Sequence, residues 1–140
     1  MSSVLLIDDE QSSCQAVAAL LRREGVEVAC APTAMAALSQ LRQAEPDLVV
    51  LDLGMPRTDG LELLDALMDE PRFRHLRVVV FSGRCDPQTV DLARRLGAAD
   101  FIEKGLPWDE VRSRLLRQLS ARVPDAPLPP DTGIPQAQFQ

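Results

Sequence analysis

Five polar residues carry the side chains that phosphoryl transfer needs, and each stands at or just after the end of a short apolar run. They are Asp8, Asp9, Asp52, Ser82 and Lys104. Carboxylates crowded together repel one another unless a cation lies among them, and Mg²⁺ is a hard ion that binds carboxylates, water and phosphate oxygens. A carboxylate can also attack phosphorus, while an ammonium group and a hydroxyl offset the charge that develops on the phosphoryl oxygens. The residue types therefore favour Mg²⁺-dependent phosphoryl transfer if the fold brings them together.

Short apolar runs alternate with helical patterns through most of the chain. The runs cover residues 4–7, 26–31, 48–53 and 78–81, with a weaker one at 101–102. Three of them are nearly continuous in Val, Ile and Leu, which is typical of strands buried on both faces of a parallel sheet. Apolar residues at helical spacing predict a helix after each run.

Capping residues mark the expected helix ends. Thr33 is a candidate N-cap, as is Asp86 followed by Pro87, and Gly25 and Gly97 stand where two helices are expected to stop. Five βα units with right-handed crossovers predict a flavodoxin-like (βα)5 fold, a three-layer α/β sandwich with a parallel sheet of order 2-1-3-4-5. Ligands of such sheets bind at the carboxyl ends of the strands, beside the switch between strands 1 and 3, where the five polar residues are expected to lie.

Composition and charge bound the classes of protein that this sequence can belong to. The chain has 140 residues and a net charge of −6, which argues against direct binding of nucleic acid or of anionic membranes. We expect one domain over residues 1–122 and a proline-rich tail over 123–140 that is disordered or a linker. The sequence shows neither a signal peptide nor an apolar stretch near the roughly 20 residues that span a bilayer, so a cytoplasmic location without membrane contact is expected.

The three cysteines do not form a recognisable metal or disulfide pattern. Cys14, Cys30 and Cys85 are far apart in sequence, and no CxxC or Cys/His ligand spacing is present. Reduced thiols are therefore predicted, rather than a zinc site or a disulfide framework.

Four segments resemble the motifs of response-regulator receiver domains. Residues 5–10 (LLIDDE) resemble the first-strand motif, and residues 52–60 (DLGMPRTDG) resemble the segment D-x-x-M-P-x-x-D-G that begins at the phosphoacceptor. Residues 82–83 resemble the fourth-strand hydroxyl and small residue, and residues 101–104 resemble the fifth-strand aromatic and lysine. The resemblance covers about residues 4–119, with the four segments in the family's order.

The resemblance implies a role for each site residue. Asp52 would accept a phosphoryl group from a sensor histidine kinase or a histidine phosphotransfer protein. Mg²⁺ would bind Asp8, Asp9, Asp52 and the backbone carbonyl of Gly54. Lys104 and Ser82 would contact the phosphoryl group, and Phe101 would turn inward as Ser82 moves. The new dianion would bias a two-state equilibrium and change the surface formed by helix 4, strand 5 and helix 5.

That surface would then meet an unidentified downstream protein or, through helices 4 and 5, a second copy of the chain. In this interpretation the domain is not an enzyme beyond its own phosphotransfer and autodephosphorylation. The sequence leaves open whether the chain acts alone or belongs to a longer protein.

One position departs from the family pattern. The family usually has a proline after the lysine, joined by a cis bond, whereas Gly105 follows Lys104 here. A cis bond to a residue other than proline costs about 2.5–4 kcal/mol. The loop must therefore either keep the cis form at that cost or take another path, and the reach of Lys104 depends on which it is.

Other functions fit the sequence less well. Asp8 and Asp9 could simply cap the first helix, and Ser82 or Lys104 alone would be an ordinary turn or surface residue. A receiver that binds partners without phosphorylation is an alternative that Gly105 favours. A phosphatase of the haloacid-dehalogenase type needs D-x-D after strand 1, and the adjacent aspartates here lack that spacing.

Overall fold

The computed structural model describes residues 2–55, 59–73 and 75–121. The predicted tail over 123–140 and the predicted domain boundary at residue 122 lie outside the described residues. So do Pro56, Arg57 and Thr58 in the middle of the D-x-x-M-P-x-x-D-G segment.

Strands and helices alternate along the described chain. The strands are β1 (Ser3–Ile7), β2 (Glu27–Ala31), β3 (Leu48–Leu51), β4 (Val78–Ser82) and β5 (Asp100–Glu103). The helices are α1 (Gln11–Arg22), α2 (Ala34–Gln43), α3 (Gly60–Asp69), α4 (Pro87–Leu96) and α5 (Trp108–Ala121). A short 3₁₀ turn at Pro71–Phe73, which the sequence analysis did not predict, follows α3.

The five strands form one parallel sheet of order β2-β1-β3-β4-β5. Leu6 in β1 pairs with Cys30 on one side and with Val50 on the other, so β1 and β3 are neighbours at the centre of the sheet. The predicted fold class and strand order are therefore confirmed. The strand predicted over 48–53 ends at Leu51, which leaves Asp52 as the first residue beyond β3.

Alternate residues of the central strands pack on opposite faces of the sheet, as a period of two requires. Leu5 and Ile7 belong to a buried cluster with side chains of α2, α3 and α4. Val4 and Leu6 belong to a second cluster with side chains of α1 and α5. Both faces of β1 and β3 are thus covered by helices, which explains their continuous apolar sequences.

The structure confirms the caps predicted for α2 and α4, whereas the C-cap of α1 is Arg23, two residues before the predicted Gly25. Thr33 caps α2, because its hydroxyl oxygen accepts a hydrogen bond of 3.0 Å from the Ala36 amide. Asp86 caps α4 by accepting from the Thr89 amide at 3.1 Å, and Gly97 is the C-cap of the same helix. No helix among the described residues has the length and apolar character needed to cross a membrane.

Candidate functional site

The polar residues at the strand ends meet at the carboxyl edge of the sheet because hydrogen bonding between neighbouring strands continues just past them. The Asp52 amide donates to the Ile7 carbonyl at 2.9 Å, immediately before Asp8. The Lys104 amide donates to the Ser82 carbonyl at 3.0 Å. The residues after β3 are therefore held beside those after β1. In the same way, the residue after β5 is held beside the end of β4.

Three carboxylates form the centre of this edge. One oxygen from each of Asp8, Asp9 and Asp52 lies within 4.8 Å of the other two. Asp8 and Asp52 are buried, with 7% and 8% of their surface exposed, whereas Asp9 is exposed to solvent. The sequence prediction that these three residues come together agrees with this geometry.

Backbone amides orient the two buried carboxylates. Oδ1 of Asp52 accepts a hydrogen bond of 3.0 Å from the Gly54 amide. Oδ1 of Asp8 accepts one of 2.9 Å from the Glu10 amide. Each carboxylate thus has one oxygen fixed by its own loop, while its Oδ2 points to a shared cation.

That cation is the ammonium group of Lys104, the only lysine in the sequence. Its nitrogen lies 2.9 Å from Oδ2 of Asp8 and 3.2 Å from Oδ2 of Asp52. Burial alone would lower the pKa of Lys104, but the hydrogen bond to Asp8 and the negative charges of Asp52 and Asp8 outweigh it, so its pKa is raised above 10.5. Lys104 is therefore protonated at neutral pH and bridges the two buried carboxylates.

The charges at this edge suit a divalent metal ion. Three carboxylates and one ammonium group give this edge a formal charge of about −2. The donors are all hard oxygens, and an exposed carboxylate beside two buried ones leaves room for the waters that Mg²⁺ retains. The residues present therefore fit Mg²⁺, with Asp8, Asp9, Asp52 and the Gly54 carbonyl as the protein groups that would hold it.

Ser82 and Phe101 both lie inside the protein. Ser82 is completely buried, and its hydroxyl oxygen accepts a hydrogen bond of 3.1 Å from the Arg84 amide. Phe101 is 6% exposed and belongs to the cluster that contacts α2, α3 and α4. The aromatic ring is already turned inward in this structure.

The loop at Gly105 does not keep the cis bond of the family pattern and takes another path. Among the described residues no peptide bond is cis, so the bond between Lys104 and Gly105 is trans. Gly105 has a φ of 103°, in the left-handed region that glycine tolerates and other residues rarely adopt. Lys104 reaches both Asp8 and Asp52 from this loop, so the departure from the usual proline does not displace its ammonium group.

Several arginines on the surface of α4, β5 and α5 form ion pairs with acidic residues of the domain. Asp100 accepts two hydrogen bonds from the guanidinium group of Arg114, at 2.6 and 2.9 Å, and also lies 3.8 Å from Arg94. Arg95 pairs with Asp91 at 2.9 Å along α4. The positive charges of Arg94, Arg95 and Arg114 are thus offset within the domain.

Two residues that position the site were not singled out as such by the sequence analysis. Phe81 lines the small cavity behind Asp8 and Asp52, and the Lys104 nitrogen lies 5.7 Å from the centre of its ring. In sequence Phe81 is only the last apolar residue of a strand, which gives no signal of this role. Gly60 packs so closely that a β-carbon there would lie 2.6 Å from Cα of Leu53. The Asp-Gly pair that ends the motif marks that position.

Comparison with known proteins agrees with the geometry. The family model of the response regulator receiver domain matches residues 4–116. The chain belongs to the response regulator receiver family. The predicted family is therefore confirmed, and with it a place in two-component signalling. Receiver domains as a class are not catalytic enzymes.

Two curated relatives illustrate the range of proteins that carry this domain. The chain is 32% identical over 131 residues to the KDP operon transcriptional regulatory protein KdpE of Escherichia coli. The aligned region makes up 91% of this chain and 57% of that protein. It is 39% identical over 103 residues to a protein-glutamate methylesterase/protein-glutamine glutaminase of Anaeromyxobacter dehalogenans. The aligned region makes up 72% of this chain and 29% of that protein. The chain thus spans less than two thirds of the length of either relative.

Solved structures share the fold over nearly all of the domain. A crystal structure of a response regulator from Thermotoga maritima superposes with a TM-score of 0.77 at 25% identity and covers 86% of this chain and 98% of that one. NtrX from Brucella abortus, crystallised with ADP, gives a TM-score of 0.77 at 36% identity and covers 86% of this chain and 27% of that chain.

Proposed function

We propose that this receiver domain accepts a phosphoryl group on Asp52 from a sensor histidine kinase or a histidine phosphotransfer protein, in a reaction that depends on Mg²⁺. The observation that carries the proposal is the bridge from Lys104 to Asp8 and Asp52. It holds the acceptor carboxylate beside a cation at the open edge of the sheet. A purely structural ion pair would not need a third carboxylate, that of Asp9, within 4.8 Å of the two that Lys104 bridges.

The transfer step follows from the contacts of Asp52. A carboxylate oxygen attacks the phosphorus of phosphohistidine, the P–N bond breaks, and the imidazole nitrogen leaves and takes up a proton. Lys104, already bonded to the carboxylate, turns to the phosphoryl oxygens and offsets their charge. The hydroxyl oxygen of Ser82 accepts a hydrogen bond from the Arg84 amide, and its proton would be donated to the same phosphoryl group.

Bound Mg²⁺ would supply positive charge that offsets the repulsion between the incoming phosphoryl group and the acidic cluster. Asp9 is the exposed member of that cluster and the easiest for a hydrated ion to reach, while Asp8 and Asp52 are already oriented by backbone amides. The domain therefore organises its metal ligands before the ion arrives.

The phosphorylated state would be transmitted through Ser82 and Phe101 to the surface of α4, β5 and α5. Phe101 follows Asp100, the residue whose carboxylate binds Arg114 of α5 and lies near Arg94 of α4. A shift of β5 would thus alter ion pairs on both helices. Because Phe101 is buried in this structure, phosphorylation would stabilise an inward position that the domain already populates.

The outputs proposed for this surface are an unidentified downstream protein and a homodimer through α4 and α5. We propose a cytoplasmic location and no direct contact with nucleic acid or membrane by this domain, in keeping with its net charge of −6. Activity of the domain itself would be limited to its own phosphotransfer and autodephosphorylation.

A second candidate function is a receiver that binds its partners without being phosphorylated. Gly105 favours it, because a loop built on left-handed glycine replaces the proline that the family usually has beside the lysine. In that case Lys104 would serve to neutralise the acidic cluster and hold the unphosphorylated conformation.

Intact mass spectrometry separates the two functions. The protein is incubated with acetyl phosphate with and without Mg²⁺, beside Asp52→Ala and the control Asp65→Ala, which removes an exposed carboxylate of α3. We expect a gain of one phosphoryl group, about 80 Da, in the wild type and the control only with Mg²⁺, and none in Asp52→Ala. If the wild type also gains nothing, from acetyl phosphate or from a panel of histidine kinases, the phosphorylation-independent function is the better one.

A further inference from the structure

Two cysteines that are 16 positions apart in sequence lie side by side in the fold. Cys14 is in the first turns of α1, and Cys30 is in β2, the edge strand against which α1 packs. Both belong to the apolar cluster between the sheet and helices α1 and α5. The two side chains therefore lie on the same face of the sheet, in the layer where α1 packs on β2. All three cysteines of the chain are free in this structure.

Both backbones are fixed, so the contact is built into the fold. The Cys14 amide donates to the Glu10 carbonyl at 3.0 Å in the first turn of α1. Cys30 pairs with Leu6 across the sheet, and its carbonyl oxygen accepts a hydrogen bond of 3.2 Å from the side-chain amide of Gln40. The two side chains therefore enter the same cluster from two anchored elements.

The two thiols differ in their access to solvent. Cys14 is 3% exposed, whereas Cys30 is half-buried at the edge of the sheet. Burial, and then the hydrogen bond to Cys30 and its charge, raise the pKa of Cys14 to about 12. A small reagent therefore reaches Cys30 before Cys14, and Cys14 remains a protonated thiol. An accessible cysteine beside a second, shielded one is the arrangement of a two-step thiol oxidation.

We propose that Cys14 and Cys30 are a peroxide-oxidisable dithiol that closes to an intramolecular disulfide between α1 and β2. In the first step the Cys30 sulfur attacks one oxygen of hydrogen peroxide, the O–O bond breaks, and the products are a sulfenic acid and one water. In the second step the Cys14 sulfur attacks the sulfenic sulfur, the S–O bond breaks, and the hydroxyl leaves with the thiol proton as a second water. Two thiols are oxidised by two electrons and one peroxide is reduced to two waters.

The crosslink would join α1 to the edge of the sheet and close a loop of 15 intervening residues. A loop of this size restricts the unfolded chain strongly enough to stabilise the fold measurably. Because α1 begins two residues after Asp9, the bond would also fix the helix that follows the acidic cluster. The proposal does not depend on phosphorylation of Asp52.

Counting free thiols after oxidation tests the pair directly. The full chain is titrated with hydrogen peroxide, quenched, denatured, alkylated with iodoacetamide and weighed intact. We expect the wild type to fall from three alkylated cysteines to one and to lose the mass of two hydrogen atoms. Cys85→Ser should fall from two to none, whereas Cys30→Ser should keep its two.

Two further readouts locate the bond and its effect. Proteolysis without reductant should give one crosslinked peptide that contains Cys14 and Cys30, and the oxidised protein should remain monomeric on a non-reducing gel. Its melting temperature should rise by about 10 °C and return to the starting value with dithiothreitol. A gain of oxygen atoms without loss of hydrogen, a bond that involves Cys85, or a disulfide-linked dimer would overturn the proposal.

Discussion

The ammonium nitrogen of Lys104 lies 2.9 Å from Oδ2 of Asp8, which is closer than its 3.2 Å contact with the acceptor candidate Asp52. The lysine is therefore shared between a proposed metal ligand and the proposed nucleophile. Any ion that binds Asp8 and Asp52 has to compete with Lys104 for the same oxygens. The proposed phosphorylation of Asp52 would remove that competition, because the lysine would gain phosphoryl oxygens as partners.

Replacement of Lys104 by methionine should therefore separate metal binding from phosphotransfer. We expect Lys104→Met to bind Mg²⁺ more tightly than the wild type by isothermal titration calorimetry, because no internal cation then occupies the carboxylates. We expect its phosphorylation by acetyl phosphate to slow by about 100-fold, because one group that offsets the transition-state charge is gone. Lys104→Arg, which keeps the charge, is the control for the first effect. Equal Mg²⁺ affinity in all three proteins would show that Lys104 does not compete with the ion.

Gly60 should be the glycine least able to accept a side chain. A β-carbon there would lie 2.6 Å from Cα of Leu53 and 3.1 Å from the carbonyl oxygen of Asp52, so the start of α3 would have to move away from the acceptor loop. We expect Gly60→Ala to lower the free energy of unfolding by about 2–3 kcal/mol in urea titrations. It should also slow phosphorylation, since the displaced loop carries Asp52.

Gly54→Ala is the matched control in the same loop. Its β-carbon would lie 3.6 Å from Oδ1 of Asp52, an ordinary contact distance. The substitution should leave stability unchanged or raise it by up to about 1 kcal/mol through the unfolded chain. If both variants lose the same stability, close packing of α3 on the acceptor loop is not what Gly60 provides.

Much of this site could be predicted from sequence because each contributing residue sits at the end of a strand. Asp8, Asp52 and Lys104 are each the first residue after a strand, and the order of the strands in a parallel sheet then determines which ends are neighbours. The strand ends were placed within about two residues, which is close enough for side chains that project from the carboxyl edge.

The periodicity of the sequence does not predict which residues of different helices and strands contact each other. Periodicity provides no reason to place Cys14 near Cys30, since their proximity depends on how α1 lies across β2. Periodicity likewise provides no reason to pair Asp100 with Arg114. Both cases depend on long-range geometry that one-dimensional patterns do not contain.

Gly105 should be needed for its backbone conformation and not for space. Its φ is 103°, and no atom lies within 4 Å of a β-carbon built there. We expect Gly105→Ala to lower the free energy of unfolding by about 1–2 kcal/mol, because an alanine in this region is strained. Gly83→Ala is the control, since Gly83 is equally open but has no φ in the left-handed region. Equal stability of the two variants in urea titrations would contradict strain as the cause.

Asp100 should make part of the domain's stability depend on pH. Burial alone would raise the pKa of Asp100, but the hydrogen bond from Arg114, the bond from the Phe101 amide and the nearby positive charges outweigh it, so its pKa is lowered below 3.8. A carboxyl whose pKa is lower in the folded state stabilises the fold at pH values above its unfolded pKa. That contribution is lost as the pH falls below 3.8 through the folded pKa.

Asp100→Asn should therefore be less stable than the wild type by about 1–2 kcal/mol near neutral pH, and the difference should shrink as the pH approaches about 3. Urea titrations across this pH range measure the difference directly. Asp91→Asn is the control, because it breaks the exposed pair with Arg95 on α4 and should change stability by less than about 0.5 kcal/mol at any pH. A difference for Asp100→Asn that stays constant down to pH 3 would mean that lost packing, rather than the charge bound by Arg114, accounts for the destabilisation.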